Sequence, residues 1–268
     1  MNNYVHGYTE RESTRLNDQA NALDNILHHD SVWDEGTLIL EAGCGVGAQT
    51  KIIASKNNKS QFISIDISAE SLAQAKKLIG DLQIANVEFK QADIFDLSFN
   101  DAYFDHIFVC FVLEHLSCPE KALTELKRVL KPNGTIMVIE GDHGSTYFHP
   151  DSPEAKKAID CLVMLQKQNG GGDANIGRKL YPLLKQSGFG QIKISPRQIY
   201  VDDSLQELVE GFTKNTFTAM IEGISDIAIA QKLISADEMH KGIKDLLKTT
   251  EGDGTFCYTF FKGIAKKI

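Results

Sequence analysis

The apolar and polar positions of the first 140 residues fall into short apolar runs alternating with longer stretches whose apolar residues recur every three or four positions. Leu16, Ala20, Leu23, Ile26 and Leu27 mark one face of a helix over residues 10–29, and Thr9 and Glu12 have the spacing of a capping box at its start. Thr37-Leu38-Ile39-Leu40 is too brief for a helix and is bounded by glycine, which predicts a buried strand. The pattern continues as a helix at 48–56, a strand at 61–66, a helix at 68–80 and a strand at 87–90. A strand at 104–113, a helix at 119–130 and a strand at 134–140 follow. Strands interleaved with helices imply right-handed crossovers and an α/β fold, an open doubly wound sheet that is mostly parallel with helices on both faces.

The second half is less regular. Residues 155–168 read as a helix, 169–173 as a flexible breaker, 177–187 as a helix and 192–201 as a strand whose Pro196 suits an edge or a bulge. Residues 205–247 carry helical patterns that fit no crossover of standard length, and 255–265 are rich in aromatic and β-branched residues, as a final strand would be. The division expected is an N-terminal cap segment and helix over 1–36, a main domain over 37–200 and 254–268, and an inserted helical lobe over 201–253.

Composition narrows the function. The chain has 268 residues, 42% of them hydrophobic, which is enough for a large core, and its formal charge of −8 opposes nucleic acid as a partner. No run approaches the roughly 20 apolar residues of a membrane span, and the polar start has no leader pattern, so a soluble cytoplasmic protein is expected. The five cysteines show no CxxC or Cys/His spacing, so neither a disulfide framework nor a metal site is expected. His28, His29 and His240 read as exposed or helix-end residues.

Chemistry concentrates after the first strand. Gly43, Gly45 and Gly47 form a turn in which glycine permits positive φ and lets backbone approach a ligand closely. The same turn reads as Gly43-x-Gly45-x-x-Ala48, an acceptable dinucleotide fingerprint, so an NAD-dependent oxidoreductase and a non-catalytic nucleotide-binding module stand as alternatives. Asp66 ends the second strand, where a carboxylate can accept both hydroxyls of a ribose. Asp93, directly after the third strand, can accept a hydrogen bond from an adenine amino group with Ile94 or Phe95 against the ring, or else cap a helix.

Leu40-Glu41-Ala42-Gly43-Cys44-Gly45-Val46-Gly47, Ile65-Asp66-Ile67-Ser68, Ala92-Asp93-Ile94, Phe104-Asp105-His106-Ile107 and Leu130-Lys131-Pro132-Asn133-Gly134 together resemble, in order and spacing, the motifs of class I S-adenosylmethionine-dependent methyltransferases. The resemblance covers residues 38–141, and that from Gly177-Arg178-Lys179-Leu180 to Gly188 extends it to small-molecule members. It implies a Rossmann-like sheet with an antiparallel C-terminal edge strand, S-adenosyl-L-methionine as cofactor, and a small-molecule acceptor as partner, with no nucleic acid and no membrane; a homodimer is compatible with it. By resemblance the glycine turn faces the methionine part, Asp66 takes the ribose hydroxyls with Ile67 after it also binding the cofactor, Asp93 and Ile94 take the adenine, and Cys110 and Phe111 line the cleft. Glu41 either reaches the cofactor's ammonium or orients the glycine amides, while Tyr4 or Tyr8 would cover the cofactor and Arg11 or Arg15 meet its carboxylate or a nearby acid. Methyl transfer is an in-line displacement for which positioning supplies much of the acceleration. Where a proton must also leave, the candidate bases at the ends of the fourth and fifth strands are His115, His143 and Glu140, with Glu114 and Asp142 beside them.

Overall fold

The computed structural model describes residues 10–168 and 170–268, with side chains from residue 14 onward. Seven strands form one sheet in the order β3-β2-β1-β4-β5-β7-β6. The parallel portion comprises β1 (Leu38–Ala42), β2 (Gln61–Asp66), β3 (Val87–Gln91), β4 (Phe104–Cys110) and β5 (Leu130–His149). The crossovers are α1 (Glu10–His28) leading in, then α2 (Thr50–Lys56), α3 (Ala69–Asp81) and α4 (Pro119–Val129). Each follows from local chemistry: the Ser68 hydroxyl caps α3 by accepting from Ser71 N–H at 3.1 Å, and α4 begins on Pro119, whose missing donor costs nothing in a first turn.

Two of the five motifs hold the sheet together. Asp105 accepts the Leu38 amide at 3.0 Å and the Lys131 ammonium at 2.7 Å, which fixes β1 and the β5 entry on either side of β4. A Cβ at Gly134 would lie 2.7 Å from the Asp105 carbonyl, so that turn requires glycine.

The remaining elements are α5 (Pro153–Gln168), α6 (Leu180–Gln186), β6 (Phe189–Val201), the lobe helices α7 (Gln206–Leu208), α8 (Ala219–Gly223), α9 (Ser225–Ala230) and α10 (Ala236–Lys248), and β7 (Thr255–Lys267). β7 is antiparallel to both β5 and β6. The doubly wound, mostly parallel sheet is therefore as expected, with a refinement of position: β7 sits one place in from the edge, and β6, carrying Pro196, is outermost. Pro196 lacks an N–H and is tolerated there because one side of β6 has no neighbouring strand. Val209–Thr218 in the lobe is π-helical, a rare geometry over ten residues. It lies so close on α1 that a Cβ at Gly211 would stand 2.8 Å from that of Ala22.

The core on the α1 side joins Leu23 and Leu27 to Phe108, Phe212, Phe217, Phe256, Tyr258 and Phe260. Fully burying a side chain of this kind contributes about 1.5–3 kcal/mol. Two polar residues enter the same layer. Lys262, 1% exposed, donates to Asp30 Oδ1 (2.6 Å), Ser31 Oγ (2.9 Å) and the Leu27 carbonyl (3.1 Å), placing its charge at the α1 C-terminus. His28, expected to be exposed or at a helix end, is the last residue of α1 and is wholly buried between Ser31 Oγ (3.1 Å from Nδ1) and Gln49 Oε1 (2.8 Å from Nε2), and burial lowers its pKa to about 4. The start of α2 roofs this helix end. No helix among the described residues is long and apolar enough to cross a membrane.

Candidate active site

Parallel strands deliver their carboxyl ends to one edge, and strand order reverses between β1 and β4, the crevice where open α/β sheets bind ligands. Gly43, Gly45 and Gly47 lie at that edge with φ of +82°, +51° and +83°. A Cβ at Gly43 would come within 2.4 Å of Val112 Cγ2, and one at Gly47 within 3.1 Å of Ala75, so both are hemmed in by protein. A Cβ at Gly45 would meet nothing within 4 Å among the described residues, so the turn is open there. The Gly43 and Cys44 amides are held by the Ile65 carbonyl at 2.8 and 2.9 Å, and the Gly45 amide by Asp66 Oδ2 at 2.8 Å.

Asp66 uses its other oxygen for the Ser68 amide at 2.9 Å, so the carboxylate is pinned at the end of β2 with one accepted bond per oxygen. Each oxygen retains acceptor capacity for a further donor. Ile67 beside it is 63% exposed, an apolar side chain waiting at the rim. Asp93 accepts the Phe95 amide at 2.9 Å and is exposed, with Ile94 half-buried after it. Glu41 does not orient the glycine amides: its Oε2 accepts from Thr50 (2.7 Å) and Ser64 (2.6 Å). Burial pushes its carboxyl up to about 7 against the pull of those two hydroxyls. Cys110, at the end of β4, is buried, its thiol held protonated by burial. Tyr8 and Tyr4, like the side chain of Arg11, lie outside the described residues.

Beside this crevice is a cavity of about 60 Å³. Phe111, Phe212, Phe217 and Phe260 give it aromatic walls, with Met220 and Leu16, and Arg15, Gln19, Glu114, His115, His143, Gln166 and Tyr258 supply its polar groups. Phe111 turns the chain at the end of β4 with φ of +57°, a left-handed conformation costly for a bulky residue and characteristic of functional sites. His115 stands 3.3 Å from Glu114 through Nε2 on the 3-10 turn Leu113–His115.

His143 reaches the cavity because β5 bulges. Between Asp142 and Tyr147 the ladder to β7 breaks, and the Ser145 hydroxyl stands in for it, donating to the Asp142 carbonyl at 2.7 Å and accepting the Thr259 amide at 2.9 Å. The bulge is clamped from outside by the fork of Arg178 on Asp142 (2.6 Å for both bonds) and by the His143 amide on the Ala174 carbonyl (3.0 Å). His143 itself is 6% exposed, with Nδ1 2.8 Å from the Tyr258 hydroxyl, and burial lowers its pKa.

Glu140 is brought to the same edge and yet not into the cavity. Wholly buried, its Oε1 accepts the Val112 and Leu113 amides at 3.1 and 2.7 Å, and burial holds the carboxyl well above its usual range. Its position beneath the loop after β4 makes it an anchor for that loop, a correction to its reading as a base. Asp142 is likewise committed to Arg178. Gln19, Gln166, Tyr258 and Phe260 were not reached from the sequence. Gln19 follows Arg15 by one helical turn, and that spacing was the only signal available.

Residues 40–138 match the family model described as a methyltransferase domain. The chain is 28% identical over 211 residues to a ubiquinone/menaquinone biosynthesis C-methyltransferase of Pseudomonas savastanoi, covering 78% of this chain and 73% of that one. It is 30% identical over 200 residues to an uncharacterised 37.1 kDa transposon protein of Streptomyces fradiae, covering 74% of this chain and 56% of the relative. The chain thus spans about half the length of this relative and of a second, from Synechococcus, of which it covers 46%. Among solved structures, the YcgJ protein of Bacillus subtilis shares the fold with a TM-score of 0.58 at 15% identity, over 93% of this chain and 97% of that one. The family match runs through the glycine turn and the strands after it.

Proposed function

We propose that the chain is a class I S-adenosylmethionine-dependent methyltransferase, with S-adenosylmethionine as cofactor, and that it methylates a small organic acceptor in the aromatic cavity beside the glycine turn. The observation that carries this is the juxtaposition at the switch point. The open face of Gly45 and the walls formed by Phe111, Gly141 and His143 belong to one carboxyl edge of the sheet.

In this reading Gly43, Gly45 and Gly47 admit the methionine part, and Glu41 faces its ammonium, for which an ionised carboxylate is the better partner. Asp66 accepts the ribose hydroxyls, Ile67 and Ile94 cover the adenine, Asp93 accepts its amino group, and Cys110 packs beneath. When bound, the cofactor supplies an electrophilic methyl group. The protein's own part is to hold the acceptor atom in line and to exclude water, for which the buried aromatic walls are suited. Arg15 and Gln19 bring α1 over the cavity as one wall, and the lobe from 201 to 253 brings Phe212, Phe217 and Met220 as another. For an acceptor that sheds a proton, His115 with Glu114 behind it is the receiving pair; its imidazole is 25% exposed, so the proton has a route to solvent. The likeness to a C-methyltransferase and the aromatic lining both favour a flat acceptor.

The test is to incubate the purified chain and S-adenosylmethionine with pools of phenols, ketones, carboxylic acids and amines, with RNA and protein pools alongside, and to measure S-adenosylhomocysteine by mass spectrometry. Turnover with a small-molecule pool is expected. Turnover only with RNA or protein would contradict the reading.

A further inference from the structure

Resting on that reading of the cavity, we propose that His143 serves the acceptor as a fixed hydrogen-bond donor through Nε2–H, locked in that tautomer by Tyr258, and that the acceptor presents an unprotonated oxygen to it. The ligand class is a flat molecule carrying a carbonyl, phenolate or enolate oxygen.

The argument begins with the phenol. Tyr258 is 2% exposed on β7, and its oxygen lies so close over the β5 backbone that a Cβ at Gly141 would be 2.4 Å from it. A buried hydroxyl must place its own proton. The acceptor in reach among the described residues is His143 Nδ1 at 2.8 Å, and a phenol proton placed there makes Nδ1 the lone-pair nitrogen.

The ring is neutral, because burial keeps it from charging. A neutral imidazole with its lone pair on Nδ1 carries its proton on Nε2. Nδ1 faces Tyr258, and Nε2 has no hydrogen-bond partner among the described residues, while the residue lines the cavity. The ring therefore offers the cavity a donor and no base, which distinguishes it from His115. The walls next to it are aromatic, with the Phe217 ring centroid at 5.9 Å from that of His143 and Phe212 behind Tyr258 at 5.6 Å. A flat body is thus received on its faces and an oxygen at its edge.

The direct test reads the tautomer without any ligand: nitrogen NMR of the full-length chain with 15N-labelled histidine, the His143 signals assigned by their loss in His143→Gln. Protonated Nε2 and unprotonated Nδ1 are expected, with tautomer exchange appearing in Tyr258→Phe. The ligand half uses protein saturated with S-adenosylhomocysteine and two probes of similar size, acetophenone, whose oxygen only accepts, and 1-phenylethylamine, whose ammonium only donates. Acetophenone should bind and shift Nε2, weaken about tenfold in His143→Ala, the scale of one hydrogen bond, and recover in His143→Gln, which keeps an N–H. A ring protonated at Nδ1, no binding of the ketone, or equal binding of the amine overturns the proposal. Failure of S-adenosylhomocysteine to bind would instead count against the cofactor reading, with the tautomer result standing on its own.

Discussion

The two halves of the proposed active site are built in different ways. The cofactor side, from Glu41 to Val112, is made largely of backbone: three glycines at positive φ, amides held by the Ile65 carbonyl and Asp66, and strand ends set by the sheet. The acceptor side is made of side chains brought from α1, the loop after β4, the β5 bulge, α5, the lobe and β7. Backbone turns tolerate few sequences, so the first side is a contiguous motif. A cavity lined from six elements can be relined one residue at a time, so the second side is where members of one fold diverge in substrate.

This contrast can be broken at single residues. Phe217→Ala, in the lobe at 0% exposure, should cost about 3–5 kcal/mol in urea unfolding yet leave S-adenosylhomocysteine affinity unchanged by calorimetry. Equal damage to cofactor affinity would show that the halves are not separable. His28 sits behind both. With a folded pKa near 4 against 6.5 for an exposed imidazole, the unfolded chain binds the extra proton, so stability falls as pH drops from about 6.5 towards 4, by up to about 3 kcal/mol. Urea midpoints across that range should show the slope, and His28→Gln should flatten it.

Gly45→Ala sharpens the cofactor side. Its Cβ meets nothing among the described residues, so only the left-handed backbone, worth about 1–2 kcal/mol, should register in stability, while cofactor affinity drops by at least about tenfold. Unaltered affinity would mean that the open face is not where the ligand lies. The smallest effect concerns Glu41, whose carboxyl is neutral below about pH 7. Because an ammonium partner favours the ionised form, affinity for S-adenosylhomocysteine should climb with pH towards 7, by up to about tenfold per unit, and Glu41→Gln should abolish the climb.

The same contrast explains what was legible in advance. The elements from α1 to α4 follow the hydrophobic period, with Ser68 capping α3 while the capping box expected at Thr9 and Glu12 lies outside the described residues, and the glycine turn with Asp66 and Asp93 stands at strand ends where the pattern placed it. β5 was foreseen only to residue 140 because a bulge conceals its continuation to His149. Lys262 reads as a solvent-facing lysine in a strand, and only α1, folded back from more than 230 residues earlier, gives it Asp30 and Ser31. His28 and Tyr258 escaped for the same reason, since the partners that bury them lie on distant elements. Glu140 shows the converse, a carboxylate at the expected edge whose bonds turn it toward the loop.

The central claim is that the turn at Gly43, Gly45 and Gly47 holds S-adenosylmethionine. Isothermal titration of the purified chain with S-adenosylhomocysteine and, separately, with NAD tests it most directly. Saturable one-to-one binding of S-adenosylhomocysteine, lost in Gly43→Val where Val112 blocks any side chain, and no binding of NAD are the predicted results. Binding of NAD alone, or full S-adenosylhomocysteine affinity in a folded Gly43→Val, would contradict it.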